Sequence, residues 1–91
     1  MEYELTIVAP EDLTVVDKID IEKKMKDYGR IRKRLVDGVK RLAYAIDGKE
    51  LGLFLYYDLE LEQGQPQKLS SVLNIDDRVM RYLLIKKDTR R

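Results

Sequence analysis

Between Leu51 and Leu61 every odd position is apolar: Leu51, Leu53, Leu55, Tyr57, Leu59 and Leu61. Side chains of a strand alternate between two faces, so this period of two predicts one long strand with a leucine face and with Phe54 and Tyr56 on the other. A leucine face must be covered, and a chain of 91 residues has to cover it from within one small domain. The preceding run from Ile31 to Ile46 is also strand-like. The reversal joining the two falls at Asp47-Gly48, a favoured hairpin dipeptide, although Lys49 and Glu50 would lengthen the loop. Asp37-Gly38 interrupts the run, as a β-bulge or strong bend, with a true turn as the rival.

The remaining segments supply the cover. Tyr3 to Ala9 alternates Tyr3, Leu5 and Ile7 with Glu4 and Thr6, a half-buried strand ended by Pro10. After Pro10, the acids Glu11 and Asp12 predict a first helical turn and Lys23, Lys24 and Lys26 a last one. Ile21, Met25 and Tyr28 make the inner stripe before Gly29, and the β-branched Val15, Val16, Ile19 and Ile21 mildly resist helix. Gln63-Gly64-Gln65-Pro66 reads as a polar connector, and Leu69, Val72 and Leu73 as one side of a short helix ending near Asn74. Arg78 to Lys87 alternates Met80, Tyr82 and Leu84 with Arg81, Leu83 and Ile85, a last strand. The order β-α-β-β-α-β predicts an α+β ferredoxin-like (split βαβ) sandwich, a four-stranded antiparallel sheet with both helices on one face. A single domain is expected over residues 1–87, with a short basic, frayed tail over 88–91.

Residue usage narrows the chemistry. The chain has no cysteine and no histidine, which removes thiolate chemistry, disulfides, the commonest general base near neutral pH and the commonest metal ligand. No metal, cofactor, small-molecule substrate or catalytic residue is expected. No stretch approaches the roughly 18 apolar residues of a membrane helix, and the acidic start MEYELTIV is unlike a signal peptide. The expectation is a soluble cytoplasmic protein that does not engage a membrane.

A net charge of +1 conceals strong segregation. Residues 1–29 carry eight acids and four bases; 30–49 carry seven bases and two acids; 50–77 carry six acids and one base; 78–91 carry six bases and one acid. In the predicted topology, strands two and four are the edges, so the basic blocks fall largely on edge strands. Edge Lys and Arg discourage sheet-to-sheet aggregation, and the same placement suits a polyanion such as nucleic acid.

Several segments taken together resemble one family. YELTIVAP, DYGRI followed by DGVKRLAYAI, FLYYDLEL and LNIDDRVMRYLLIKK are similar to the bacterial small-subunit ribosomal protein S six family in order and spacing over nearly the whole chain. Arg41-Leu42-Ala43-Tyr44 with the following Ile46 is the most specific piece. Glu2 departs from the basic residue that the family commonly carries there, and Ala45 from its frequent proline. The resemblance implies the ferredoxin-like fold, no catalysis, and assembly into the small ribosomal subunit, paired with ribosomal protein S eighteen on the central domain of the small-subunit RNA.

Arg41 and Arg81 lie within the family-like motifs and are suited to forking onto phosphates, which makes them the leading RNA contacts. Lys40, Arg78, Lys86, Lys87, Arg90 and Arg91 are further RNA-binding candidates, although strand ends often carry such residues for solvation alone. Gly38 reads as structural, a bulge glycine. Phe54 and Tyr56 lack the run of glycines and aromatics that marks an RNA-recognition motif, so they read as sheet packing or partner contacts. With Val39, Ala43 and Tyr44 they form the expected partner-binding set. The rival readings are a stand-alone ferredoxin-like RNA-binding module, a small regulatory or dimerisation domain, and an acylphosphatase-like enzyme. Against the last, DGVKR lies inside strand two, while the loop after strand one, APED, is acidic and would repel a phosphate.

Overall fold

The chain runs β1 (Glu2–Ala9), α1 (Val15–Lys26), β2 (Gly29–Ile46), β3 (Lys49–Leu61), α2 (Gln65–Asn74) and β4 (Arg81–Lys86) in a computed structural model that describes residues 1–87. The strands form one antiparallel sheet in the order β2-β3-β1-β4. This is the ferredoxin-like arrangement read from the sequence, with β1 and β3 central and the basic β2 and β4 at the edges.

The leucine face of β3 is where the core forms. Leu55, Tyr57, Leu59 and Leu61 are buried together with Leu5, Ile7 and Ala9 of β1. Ile21 and Met25 of α1 and Leu69 and Leu73 of α2 close over them. Each helix therefore contributes residues at spacing four, one stripe of an amphipathic helix laid on a sheet.

The β2–β3 hairpin turns at Asp47 (φ 51°) and Gly48 (φ 78°), two successive left-handed residues whose twist matches the flanking strands. Lys49 is already paired with Ile46, so the loop is not lengthened. Asp37-Gly38 is a bulge: the register slips between Val36 and Gly38, and Gly38 has φ 111°, a conformation hostile to any side chain. Two further slips, between Ile31 and Lys33 and between Arg41 and Ile46, have no glycine to announce them.

Three boundaries differ from the sequence expectation. Glu11 and Asp12 precede α1 rather than open it: the Leu13 amide donates to the Pro10 carbonyl at 3.0 Å, closing a turn. Thr14 is the extended cap whose Oγ1 accepts from the Asp17 amide at 3.0 Å. Gln65 and Pro66 belong to α2 and not to a connector, because proline in a first turn loses no intrahelical bond. Finally, β4 begins at Arg81. Residues 76–79 are held in a turn by the Val79 amide on the Asp76 carbonyl, at 3.0 Å, and by the Arg78 amide on the Asp76 carboxylate, at 3.0 Å. The tail expected over 88–91 lies outside the described residues.

Candidate nucleic-acid and partner interface

The two helices cover only one side of the sheet. Residues opposite one another in register share a face, so the helix-free side can be read row by row. One end carries Arg81, Val8, Phe54 and Gly38; next come Leu83, Thr6, Tyr56 and Leu35; then Ile85, Glu4, Asp58 and Lys33; and last Glu2, Glu60 and Arg30. Leu35 is 60% exposed, Leu83 58% and Ile85 48%. With the half-buried Phe54 and Tyr56 they form an apolar strip that none of the described residues covers.

Charges ring this strip. The cross-strand acids Glu4 and Asp58, and Glu2 and Glu60, would repel, and two bases relieve them: Lys87 Nζ lies 3.1 Å from Asp58 and Arg32 Nη1 2.8 Å from Glu60. Hydrogen bonding to Asp58 raises the Lys87 pKa. Lys40 stands over the Phe54 ring at 5.7 Å and pairs with Asp37, whose hydrogen bond raises the lysine pKa.

The predicted RNA contacts are differently situated. Arg81, at the start of β4, and Lys86, at its end, have no carboxylate within ion-pair distance among the described residues and are exposed. Arg41 pairs with Glu50 at 3.2 Å, but both side chains are largely exposed, so the pair exchanges readily with solvent. Arg78 is engaged: its guanidinium bonds Asp76 at 2.8 and 2.9 Å, Asp20 at 2.8 Å and Asp17 at 3.5 Å. Those bonds, Asp76 first, raise the arginine pKa. In turn Arg78, with Lys24 at 3.1 Å, holds the Asp76 carboxyl well below the usual range. Arg90 and Arg91 lie outside the described residues.

The expected partner residues fall into two groups. Phe54 and Tyr56 lie in the apolar strip. Val39, 49% exposed, pairs with Leu53 on the helix-side face, beyond the reach of the helices. Ala43 and Tyr44 sit in the wide slip before Ile46, where Tyr44 is 83% exposed. Sequence reasoning missed Leu35, Leu83 and Ile85, although the alternation Arg81-Leu83-Ile85 had placed two of them on one face. It also missed Arg30 and Lys33, edge cations that have no carboxylate partner among the described residues. The basic block held the signal, and only pairing in space separates these two from Arg32 and Arg34.

Among the described residues no group of acids is placed to hold a metal ion, and no helix is long and apolar enough to cross a membrane. The sequence matches the family described as Ribosomal protein S6 over residues 2–86. The chain belongs to the ribosomal protein S6 family. It is 37% identical over 92 residues to small ribosomal subunit protein bS6 of Corynebacterium glutamicum, covering 96% of this chain and 97% of that protein. With the protein of the same name from Thermus thermophilus it shares 33% identity over 89 residues, covering 92% and 88% respectively. Its fold is similar to the crystal structure of 30S ribosomal protein S6 from Thermotoga maritima, with a TM-score of 0.82 at 15% identity, covering 94% of this chain and 86% of that one. As an S6-family member this is a structural protein of the small ribosomal subunit and not an enzyme, which disposes of the acylphosphatase-like reading.

Proposed function

We propose that this chain binds the central domain of the small-subunit ribosomal RNA jointly with ribosomal protein S eighteen, as part of the cytoplasmic ribosome. The observation that carries this reading is the division of the surface: cations at the sheet edges without an acidic partner among the described residues, and between them an apolar strip that no described residue covers. Arg81 and Lys86 on β4, with Arg30 and Lys33 on β2, suit phosphates. Leu35, Tyr56, Leu83 and Ile85 suit a protein. Lys40, Arg41 and Lys87 join the phosphate set by exchanging a carboxylate for RNA, Arg41 most readily because its partner Glu50 is largely exposed. Arg78 has its donors taken by Asp76, Asp20 and Asp17 and contributes least. Val39, Ala43, Tyr44 and Phe54 extend the partner footprint around β2. A domain with its bases split between two edges has few means of reading base edges alone, so specificity comes from combining two proteins on one RNA.

The test is binding of a central-domain RNA fragment to this chain alone, to the partner alone and to both, with ribonuclease footprints. Cooperative binding with a new shared footprint supports the reading. Tight, site-specific protection by this chain alone, indifferent to the partner, would replace it with a stand-alone RNA-binding module.

A further inference from the structure

An open groove of about 560 Å³ runs between α2 and β4. β4 pairs with β1 on one side only, so the main-chain groups of its other edge face outward beside this groove. Asn74, at the end of α2, is exposed and lines it together with the apolar Val79, Met80, Leu83 and Leu84 and with Arg81, which reaches it from the edge of the strand. The Tyr82 hydroxyl donates to the Ser70 carbonyl at 3.3 Å, stapling α2 to the strand and fixing the width.

The wall chemistry distinguishes this groove from the other concavities described. Those include Asp12 and Glu50, Asp17 and Asp20, Glu60 and Glu62, or Asp58 in their walls. Among the described residues, the groove beside β4 is lined by no carboxylate, and its one charged lining residue is an arginine without an acidic partner. An anionic ligand with a flat apolar body and a hydrogen-bonding edge fits that combination, and an unstacked nucleotide is such a ligand.

We propose that the groove between α2 and the free edge of β4 receives one unstacked nucleotide of RNA, its base on Val79 and Met80, its edge read by Asn74 and the outer main chain of β4, and its phosphate on Arg81. This deepens the RNA-binding reading and rests on it. Asn74 and Arg81 then do different work: the amide discriminates between bases, and the guanidinium adds affinity whatever the base.

The chain has no cysteine, so Asn74→Cys gives a unique attachment point for an iron chelate that cleaves nearby RNA. In the complex of this chain, the partner protein and the central-domain RNA fragment, cleavage from position 74 should centre on an unpaired nucleotide. Asn74→Ala should weaken binding roughly five-fold or more and leave the salt dependence unchanged, since no charge is lost. Asn74→Asp, of the same shape, should weaken it further by repelling the phosphate. Asn74 is exposed, so both variants should fold, which circular dichroism checks. If the complex forms, both variants bind as the parent does and position 74 cuts no RNA, the groove is not a nucleotide site, while the RNA-binding reading stands. If the chain binds no central-domain RNA with or without its partner, both readings fall. Protection of β4 amides from hydrogen exchange by the partner protein alone would show a protein strand in the groove and overturn the proposal.

Discussion

The Tyr57 hydroxyl of β3 donates a 2.9 Å hydrogen bond to Glu22 Oε2 of α1, joining the leucine face of the sheet to the helix that covers it. Lys18 Nζ bonds the same oxygen at 2.9 Å, and Arg34 Nε reaches the other at 3.3 Å. Burial pushes the Glu22 carboxyl up, but Lys18, Tyr57 and Arg34 together outweigh it and hold the group below its ordinary value. Burial and then Glu22 push the Tyr57 hydroxyl well above its own. Tyr57→Phe removes one bond to a buried charge and should destabilise by about 1.5–3 kcal/mol. Urea melts at neutral pH measure this; a loss no greater than that of an exposed Tyr44→Phe control would show that the bond contributes nothing net.

Acid stability follows from the same groups. Glu22 and Asp76 have native pKa values below their ordinary 4.5 and 3.8. A depressed carboxylate stabilises the fold above its unfolded pKa, and that stability is lost as pH falls toward the native one. With no histidine to titrate, urea midpoints should be level from about pH 8 to 5 and fall below about 4.5. Asp76→Asn should start lower and decline less steeply. A parallel decline in parent and variant would remove Asp76 from this account.

Arg78 and Arg81 are close in sequence and should differ in kind. Asp76 is 8% exposed and depends on Arg78 and Lys24 for its partners, so Arg78→Gln leaves a buried carboxylate under-compensated and should cost roughly 2–4 kcal/mol. Arg81→Gln should change stability by less than about 0.5 kcal/mol and act on RNA binding instead. Paired with Arg41→Gln, it should lower the slope of log affinity against log salt by up to about two contacts. An unchanged slope in the double variant would remove both residues from the RNA surface.

Leu59 is 1% exposed against the helices, whereas its neighbour Glu60 points to the open side and holds Arg32. Leu59→Ala should cost roughly 2–5 kcal/mol and Glu60→Ala under about 1 kcal/mol. The reverse order in urea melts would mean that the strand register is shifted by one.

The legibility of this chain follows from how locally each feature is encoded. Leu51 to Leu61 specify strand, face and register by alternation alone, and Asp47-Gly48 specify the hairpin, because each rule needs only neighbours in sequence. The bulge at Gly38 was visible for the same reason. What stayed hidden depends on partners far along the chain. Arg78 reads like any basic strand-end residue until Asp17 and Asp20, some 60 positions away, are placed beside it. Arg30 and Lys33 cannot be told from Arg32 and Arg34 until Glu60 and Glu22 have taken the latter pair. The start of α1 was misplaced because acids signal a helical first turn, yet the Pro10 carbonyl bonded the Leu13 amide first.

The uncovered strip gives the last prediction. Leu83 is 58% exposed on β4, opposite Thr6 and in the same row as Tyr56 and Leu35. An aspartate there remains solvated in the free protein, so Leu83→Asp should leave the urea midpoint nearly unchanged. Under a partner protein the same carboxylate would be buried without a counter-charge, which weakens binding by several kcal/mol, on the order of 100-fold or more. Val39→Asp and Ala43→Asp probe the other side of β2 in the same way, and comparing the three locates the footprint. Pull-down of ribosomal protein S eighteen without RNA is the measurement, because Leu83 also lines the groove between α2 and β4. If Leu83→Asp retains the partner while Val39→Asp and Ala43→Asp lose it, the partner docks on the β2 ribbon and leaves the strip open; if all three bind as the parent does, the strip and the ribbon are both excluded as its docking surface.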